Sequence, residues 1–193
     1  MALDLAELVA AAKAGDGEAY RELVRATYAD AYTLAFRLIG NEEDARDVVQ
    51  DAYLRAYKGL KRFRGDAAFT TWMYRITANC ASSHLLRRRQ DRHETLDEDS
   101  QLADERPEAD PEHRMATRAD REMLHDALQS LPPDMRAVVV LRDIYDLPHE
   151  AIAAELGISE GAAKVRLHRA RKRLRERLFP LRGETNGEEA HAV

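Results

Sequence analysis

Two groups of side chains in this sequence carry usable chemistry, and both are basic. The first lies between Glu160 and Leu178, where Lys164, His168, Arg169, Arg171 and Lys172 fall on one face of a helical pattern. The opposite face carries Ala163, Leu167, Ala170 and Leu174, at spacings of four, three and four. Just ahead stand the short apolar-faced segment PHEAIAAEL, with Ile152, Ala153 and Leu156 inward, and the turn Gly157-Ile158-Ser159. Glycine tolerates the left-handed backbone such a turn needs, and Ser159 is placed to cap the following helix. A short helix, a three-residue turn and a long helix with a basic face make a helix-turn-helix, whose second helix fits the DNA major groove. Arginine there can bridge guanine O6 and N7, a contact worth about 1–3 kcal/mol of discrimination, while other cations hold phosphates without reading sequence. A solvated helix in an ordinary bundle also carries Lys and Arg. The turn chemistry and the excess of nine basic over two acidic residues in 159–182 favour DNA.

The second group spans residues 63–90. Phe63, Phe69, Trp72 and Tyr74 alternate with Arg62, Arg64 and Arg75, and Arg87, Arg88 and Arg89 follow. Aromatic faces stack on unpaired bases and arginines track a backbone, so the mixture suits single-stranded DNA. The plainer alternative for Phe69 and Trp72 is helix core. Enzyme chemistry finds little support. Cys80 and His84 are four apart, as two metal ligands on a helix would be, but nothing nearby supplies a third and fourth. There is no glycine-rich phosphate loop and no nucleophile elbow. The expectation is a non-enzyme with no cofactor and no metal.

The elements that must position these groups read as helices throughout, so the fold class expected is all-α. Helices are predicted over about 3–14, 18–39, 42–58, 67–88, 114–130, from Pro133 to about Ile144, and from Glu160 to Leu178. In 18–39, Tyr20, Leu23, Val24, Ala31, Leu34, Ala35 and Leu38 recur at helical spacing; in 42–58, Ala45, Val48, Val49, Ala52, Leu54 and Ala56 do so. Gly40 is expected to stop one helix, Asn41 to cap the next, and Asp66 to cap the one after. Residues 90–113 have no periodicity and contain two prolines, a linker composition.

The net charge of −5 hides this organisation. Residues 58–90 hold eight basic residues against one acidic, and residues 91–113 hold two against ten. The chain is expected to divide into a helical domain at 1–90, an acidic flexible linker at 91–113, a second helical domain at 114–182 and a disordered tail at 183–193. No apolar run approaches the roughly 18 residues that span a bilayer, and the N-terminal stretch carries Asp4 and Glu7 where a secretion signal carries Lys or Arg. Cys80 is the only cysteine. The expectation is a cytoplasmic protein without membrane insertion.

EDARDVVQDAYLRAYKGLKRFRGDAAFTTWMYRITANCASSHLLRRR strongly resembles region 2 of bacterial RNA polymerase sigma factors. SLPPDMRAVVVLRDIYDLPHEAIAAELGISEGAAKVRLHRARKRLRERL strongly resembles their region 4. The order, the acidic linker and the short chain look like the extracytoplasmic-function group. The resemblance implies an adaptor that binds core polymerase, recognises −35 and −10 promoter elements and promotes melting. It implies that Asp44, Asp47, Gln50 and Asp51 dock on the polymerase β′ clamp helices, with the β flap as a further partner surface of core polymerase. It implies a −10 reader made of Lys61, Arg62, Phe63, Arg64, Trp72, Arg75 and Asn79, with Asn79 reading a base flipped out of the melted strand. The −35 reader it implies is Lys164, Val165, Arg166, His168, Arg169 and Lys172. Where the family commonly has Gly-Thr-Val-Lys-Ser-Arg, this chain has Gly161-Ala162-Ala163-Lys164-Val165-Arg166, so Val165 replaces a small polar residue and offers only apolar contact. The family also implies an anti-sigma partner, and a linker that threads towards the RNA exit path.

Two rival readings differ in what they leave unexplained. A dimeric helix-turn-helix regulator accounts for 145–178 but gives residues 44–90 no purpose. A sigma factor with its own sensor domain needs more chain than the few residues after Pro180.

Overall fold

The computed structural model describes residues 4–94 and 115–179, and all regular structure among them is helical. The first unit contains α1 (Leu5–Lys13), α2 (Gly17–Ile39), α3 (Glu42–Gly59), a 3₁₀ turn (Leu60–Arg62) and α4 (Phe69–Glu94). The second contains α5 (Met115–Gln129), α6 (Pro133–Val139), a π turn (Val140–Ile144), α7 (His149–Leu156) and α8 (Glu160–Leu178).

Local chemistry sets the boundaries of α2 and α3. The Asp16 carboxylate accepts from the backbone N–H of Glu18 and Ala19 at 2.8 and 3.1 Å, satisfying donors that α2 leaves open at its start. Gly40 ends α2 in the left-handed region at φ +84°, and its N–H closes on Phe36 O at 2.8 Å. Asn41 then caps α3, accepting from Asp44 N–H at 3.0 Å. The expected stripe of α2 is its inner face: Leu23, Ala31, Leu34, Ala35 and Leu38 are buried, with Tyr20 and Val24 half-buried. On α3, Ala45, Val48, Val49, Ala52 and Ala56 are buried, but Leu54 is 52% exposed, contrary to its expected place in the apolar set.

Two expectations about α4 are corrected. Asp66 does not cap it: the helix starts three residues later, and the Asp66 carboxylate pairs with Arg64 Nε at 2.9 Å. The helix also continues through Glu94 rather than ending near residue 88, which places the first four residues of the expected linker in regular structure. RRRQDRHE has no glycine or proline, and Arg, Gln and Glu propagate a helix well without apolar spacing. The rest of the linker and the tail beyond Phe179 lie outside the described residues.

The two units pack on each other, α4 against α6 and α7, and α2 against α5 and α6. Irregular backbone makes one of these contacts. The segment expected as continuous helix to Ile144 widens into the π turn, followed by Asp146 with φ +51°. Aspartate is among the few residues that tolerate that region. The bend sets Tyr145 between α2 and α4, its ring edge-on to Tyr74 at 4.5 Å and its hydroxyl accepting from Arg37 Nη1 at 3.2 Å. A second contact is Arg136, only 6% exposed, whose guanidinium reaches the C-terminal end of α2.

Candidate nucleic-acid interface

The helix-turn-helix is built as the sequence indicates. Gly157 takes φ +63° at the end of α7, and the Ser159 hydroxyl accepts from Ala162 N–H at 3.2 Å to start α8. Ile152 and Ala153 of α7 and Ala163, Leu167 and Ala170 of α8 are buried, with Leu156 and Leu174 half-buried. This packing turns Lys164, Val165, His168, Arg169 and Lys172 outward, all exposed, Val165 by 50%. Lys164 and Lys172 are tied only to exposed glutamates on their own helix, Glu160 and Glu176, pairs that bind weakly in water. Arg166 departs from the set. It is half-buried and its Nε faces Asp134 of α6 at 3.4 Å, so it braces α8 rather than sharing the outer face. Arg171 holds Asp143 through two donors, Nε at 2.9 Å and Nη2 at 2.5 Å, fixing α8 to the π turn.

Three of the four aromatic residues form one cluster, while Tyr74 packs on Tyr145 instead. The Phe63 and Trp72 rings lie 4.8 Å apart, and Phe69 sits 6.1 Å from Phe63 and 5.8 Å from Trp72. Phe69 is buried; Phe63 and Trp72 are half-buried. Lys13 Nζ donates to Phe63 O at 2.6 Å and pins the loop to α1. These rings therefore hold the 61–66 loop against α4, and leave Lys61, Arg62 and Arg64 on the rim, exposed. One and two turns along α4, Arg75 and Asn79 both point at the second unit. Arg75 Nε and Asn79 Nδ2 each donate to the Glu155 carboxylate of α7 at 3.2 Å. Sequence spacing contains no sign of this contact, because its partners are 80 and 76 residues apart.

On α3, Asp47, Gln50 and Asp51 are exposed and line an open groove with Leu54 and, across it on α4, Cys80, His84 and Arg87. Asp44 is the exception: its carboxylate is held by Arg88 and lies 3.3 Å from His84 Nε2, and only 22% of its side chain is exposed. Cys80 lies at the floor of this groove but is 2% exposed. Burial pushes its thiol above the ordinary value, so the nucleophilic thiolate is scarce at neutral pH. The native chain is expected to resist iodoacetamide at pH 7.5 and to label fully in urea, as intact-mass analysis will show. Rapid native labelling would contradict the buried placement.

No helix among the described residues is long and apolar enough to cross a membrane. Residues 23–91 match the family model for sigma-70 region 2, and residues 121–174 match that for sigma-70 region 4. The chain is 39% identical over 169 residues to the ECF RNA polymerase sigma factor SigE of Mycolicibacterium smegmatis, covering 85% of this chain and 63% of that protein. It is 33% identical over 181 residues to the ECF RNA polymerase sigma-E factor of Escherichia coli K12, covering 90% of this chain and 94% of that one. Among solved structures it is similar to CnrH in complex with the cytosolic domain of CnrY, with TM-score 0.59 and 29% identity over 91% of this chain and 97% of that one. The sigma factor RpoE of Bartonella quintana, in complex with the anti-sigma factor NepR, shares the fold at TM-score 0.65 and 22% identity, over 82% of this chain and 96% of that one. Two sigma regions in order along the chain, near-complete coverage of the E. coli protein and a common fold lead to one conclusion: this chain belongs to the extracytoplasmic-function RNA polymerase sigma factors.

Proposed function

We propose that this sigma factor of transcription initiation docks on core polymerase through α3, reads a −35 element with α8 and a −10 element with the 61–66 loop and α4, and thereby promotes promoter melting. Polymerase docking and −10 reading are assigned to residues 1–90, and −35 reading to residues 114–182. The observation that carries the reading is the outer face of α8. Its Lys164, Val165, His168, Arg169 and Lys172 are exposed on a helix whose other side is locked into a helix-turn-helix. Arg169 is the residue of this face suited to bidentate guanine contact, and Val165 suits a thymine methyl. The rim of Lys61, Arg62 and Arg64 beside the aromatic cluster supports a path for an unpaired strand. Asp47, Gln50 and Asp51 give the α3 side of the groove exposed carboxylates and an amide, which suits a basic partner surface. An anti-sigma protein is the proposed regulator, supported by the sigma–anti-sigma complex of the similar RpoE structure. The site of action is the compartment that holds the polymerase, the cytoplasm.

Run-off transcription with purified core polymerase on fragmented host DNA, with RNA 5′ ends sequenced, tests this. Discrete starts that require the protein and share motifs near −10 and −35 are expected. Tight duplex binding by the protein alone, without new starts, would replace the reading with an ordinary regulator. In the same system, D47A/Q50A is expected to weaken capture of core polymerase by about tenfold while leaving thermal stability unchanged, because both side chains are exposed. Undiminished capture would move the docking surface away from α3.

A further inference from the structure

The contact between α4 and α7 joins two surfaces that must act far apart. Arg75 and Asn79 belong to the proposed −10 reader, and both donate to one carboxylate, Glu155, on the first helix of the −35-reading motif. Glu155 is well covered, with 15% of its side chain exposed, against 34% for Arg75. Elements near −35 and −10 are separated by about 25 base pairs, roughly 85 Å along B-form DNA at 3.4 Å per step. Side chains that touch at 3.2 Å belong to units that cannot occupy both elements at once. The arrangement seen here is therefore one the chain must leave in order to read a whole promoter.

What Glu155 presents to α4 is also specific. A carboxylate that accepts from a guanidinium and from an amide takes the donors that a DNA phosphate and a base acceptor would otherwise use. The neighbouring contacts hold it there: Tyr145 against Tyr74 at 4.5 Å, and Arg136 on Leu38 O at 3.0 Å. The outer face of α8 remains exposed throughout, so the two readers are not treated alike. We propose that Glu155 is a built-in mask: in the free chain it occupies the Arg75 and Asn79 part of the −10 reader in place of single-stranded DNA, leaves the −35 face open, and is withdrawn only when the units separate. The proposal rests on the assignment of Arg75 and Asn79 to the −10 site.

The test uses the full-length chain and a fluorescein-labelled pool of single-stranded DNA of randomised sequence, followed by anisotropy at low salt. Glu155→Gln removes the charge with little change of shape. Glu150→Gln removes one charge from the same helix at an exposed site, and controls for the general field. E155Q is expected to tighten single-strand binding by about five- to tenfold, E150Q by less than twofold, and R75A should abolish the gain in an E155Q background. Equal tightening by E155Q and E150Q overturns the mask in favour of plain charge repulsion. No tightening by E155Q, with R75A still weakening binding, overturns the mask but leaves the −10 assignment standing. If R75A and N79A change nothing in either background, the −10 assignment itself fails and the mask with it.

Discussion

Replacing Arg136 by alanine is expected to lower the stability of the chain by about 2–4 kcal/mol and to loosen the two units from each other. Arg136 is buried, and carbonyl oxygens rather than a carboxylate receive it. Nη1 donates to Leu38 O at 3.0 Å and to Gln129 Oε1, and Nη2 donates to Leu131 O at 3.4 Å. Desolvation pulls the guanidinium down to about 10, so it stays cationic at neutral pH. Leu38 lies in the last turn of α2, where unsatisfied carbonyls make the helix end partially negative, which is the right place for a cation. Gln129 extends the clasp, donating from Nε2 to Arg37 O at 3.2 Å. It lies so close to Gly40 that any Cβ there would collide with its amide, in a backbone conformation that already favours glycine. The alanine variant leaves Leu38 O without this donor and opens a cavity between the units. R136M refills most of the volume without donating, and is expected to recover part of the loss. Urea melts of the three proteins check this. An R136A midpoint within error of wild type would mean that the clasp contributes nothing, and two resolved transitions would show that it couples the units.

How far this could be read beforehand depends on whether the signal was local. The start and end of α8 at Glu160 and Leu178, the Ser159 cap and the left-handed Gly157 were legible, because each follows from a few adjacent residues. So were the caps at Gly40 and Asn41. Asp66 misled because a carboxylate ahead of a helix has competitors, here Arg64 at 2.9 Å. The extension of α4 was missed because a polar helix has propensity but no apolar period. The π turn was missed because VLRDI has the same apolar spacing whether it is wound as α or slightly wider, and only the docking of Tyr145 reveals which. Within the candidate site, spacing identified the exposed face of α8. It could not show that Arg166 turns to Asp134 or that Asp44 is held by Arg88, since each partner comes from another helix. Glu155 and Arg136 were invisible for the same reason. Their importance lies in contacts across the two units, and nothing in their own neighbourhoods marks them.

Replacing Asn79 by alanine is expected to leave −35 duplex binding by the holoenzyme intact and to reduce open complexes by about tenfold or more. Asn79 sits half-buried on α4, one turn beyond Arg75 and two beyond the Trp72 end of the aromatic cluster, so a strand following the 61–66 rim reaches it after the rings. Its amide both donates and accepts, which is what reading a base edge requires and what alanine lacks. A flipped base has already given up stacking and pairing worth a few kcal/mol, so recognition that fails to repay this leaves the duplex closed. Permanganate reactivity of promoter thymines measures the opening, and a mobility shift on −35 duplex measures the rest. A template melted in advance separates two roles. If Asn79 reads the base, the deficit persists on the bubble, because the missing contact is still missing. If Asn79 only helps to separate strands, the bubble restores the variant. Normal melting on duplex promoters would remove Asn79 from the −10 site and leave its bond to Glu155 as a contact within the fold alone.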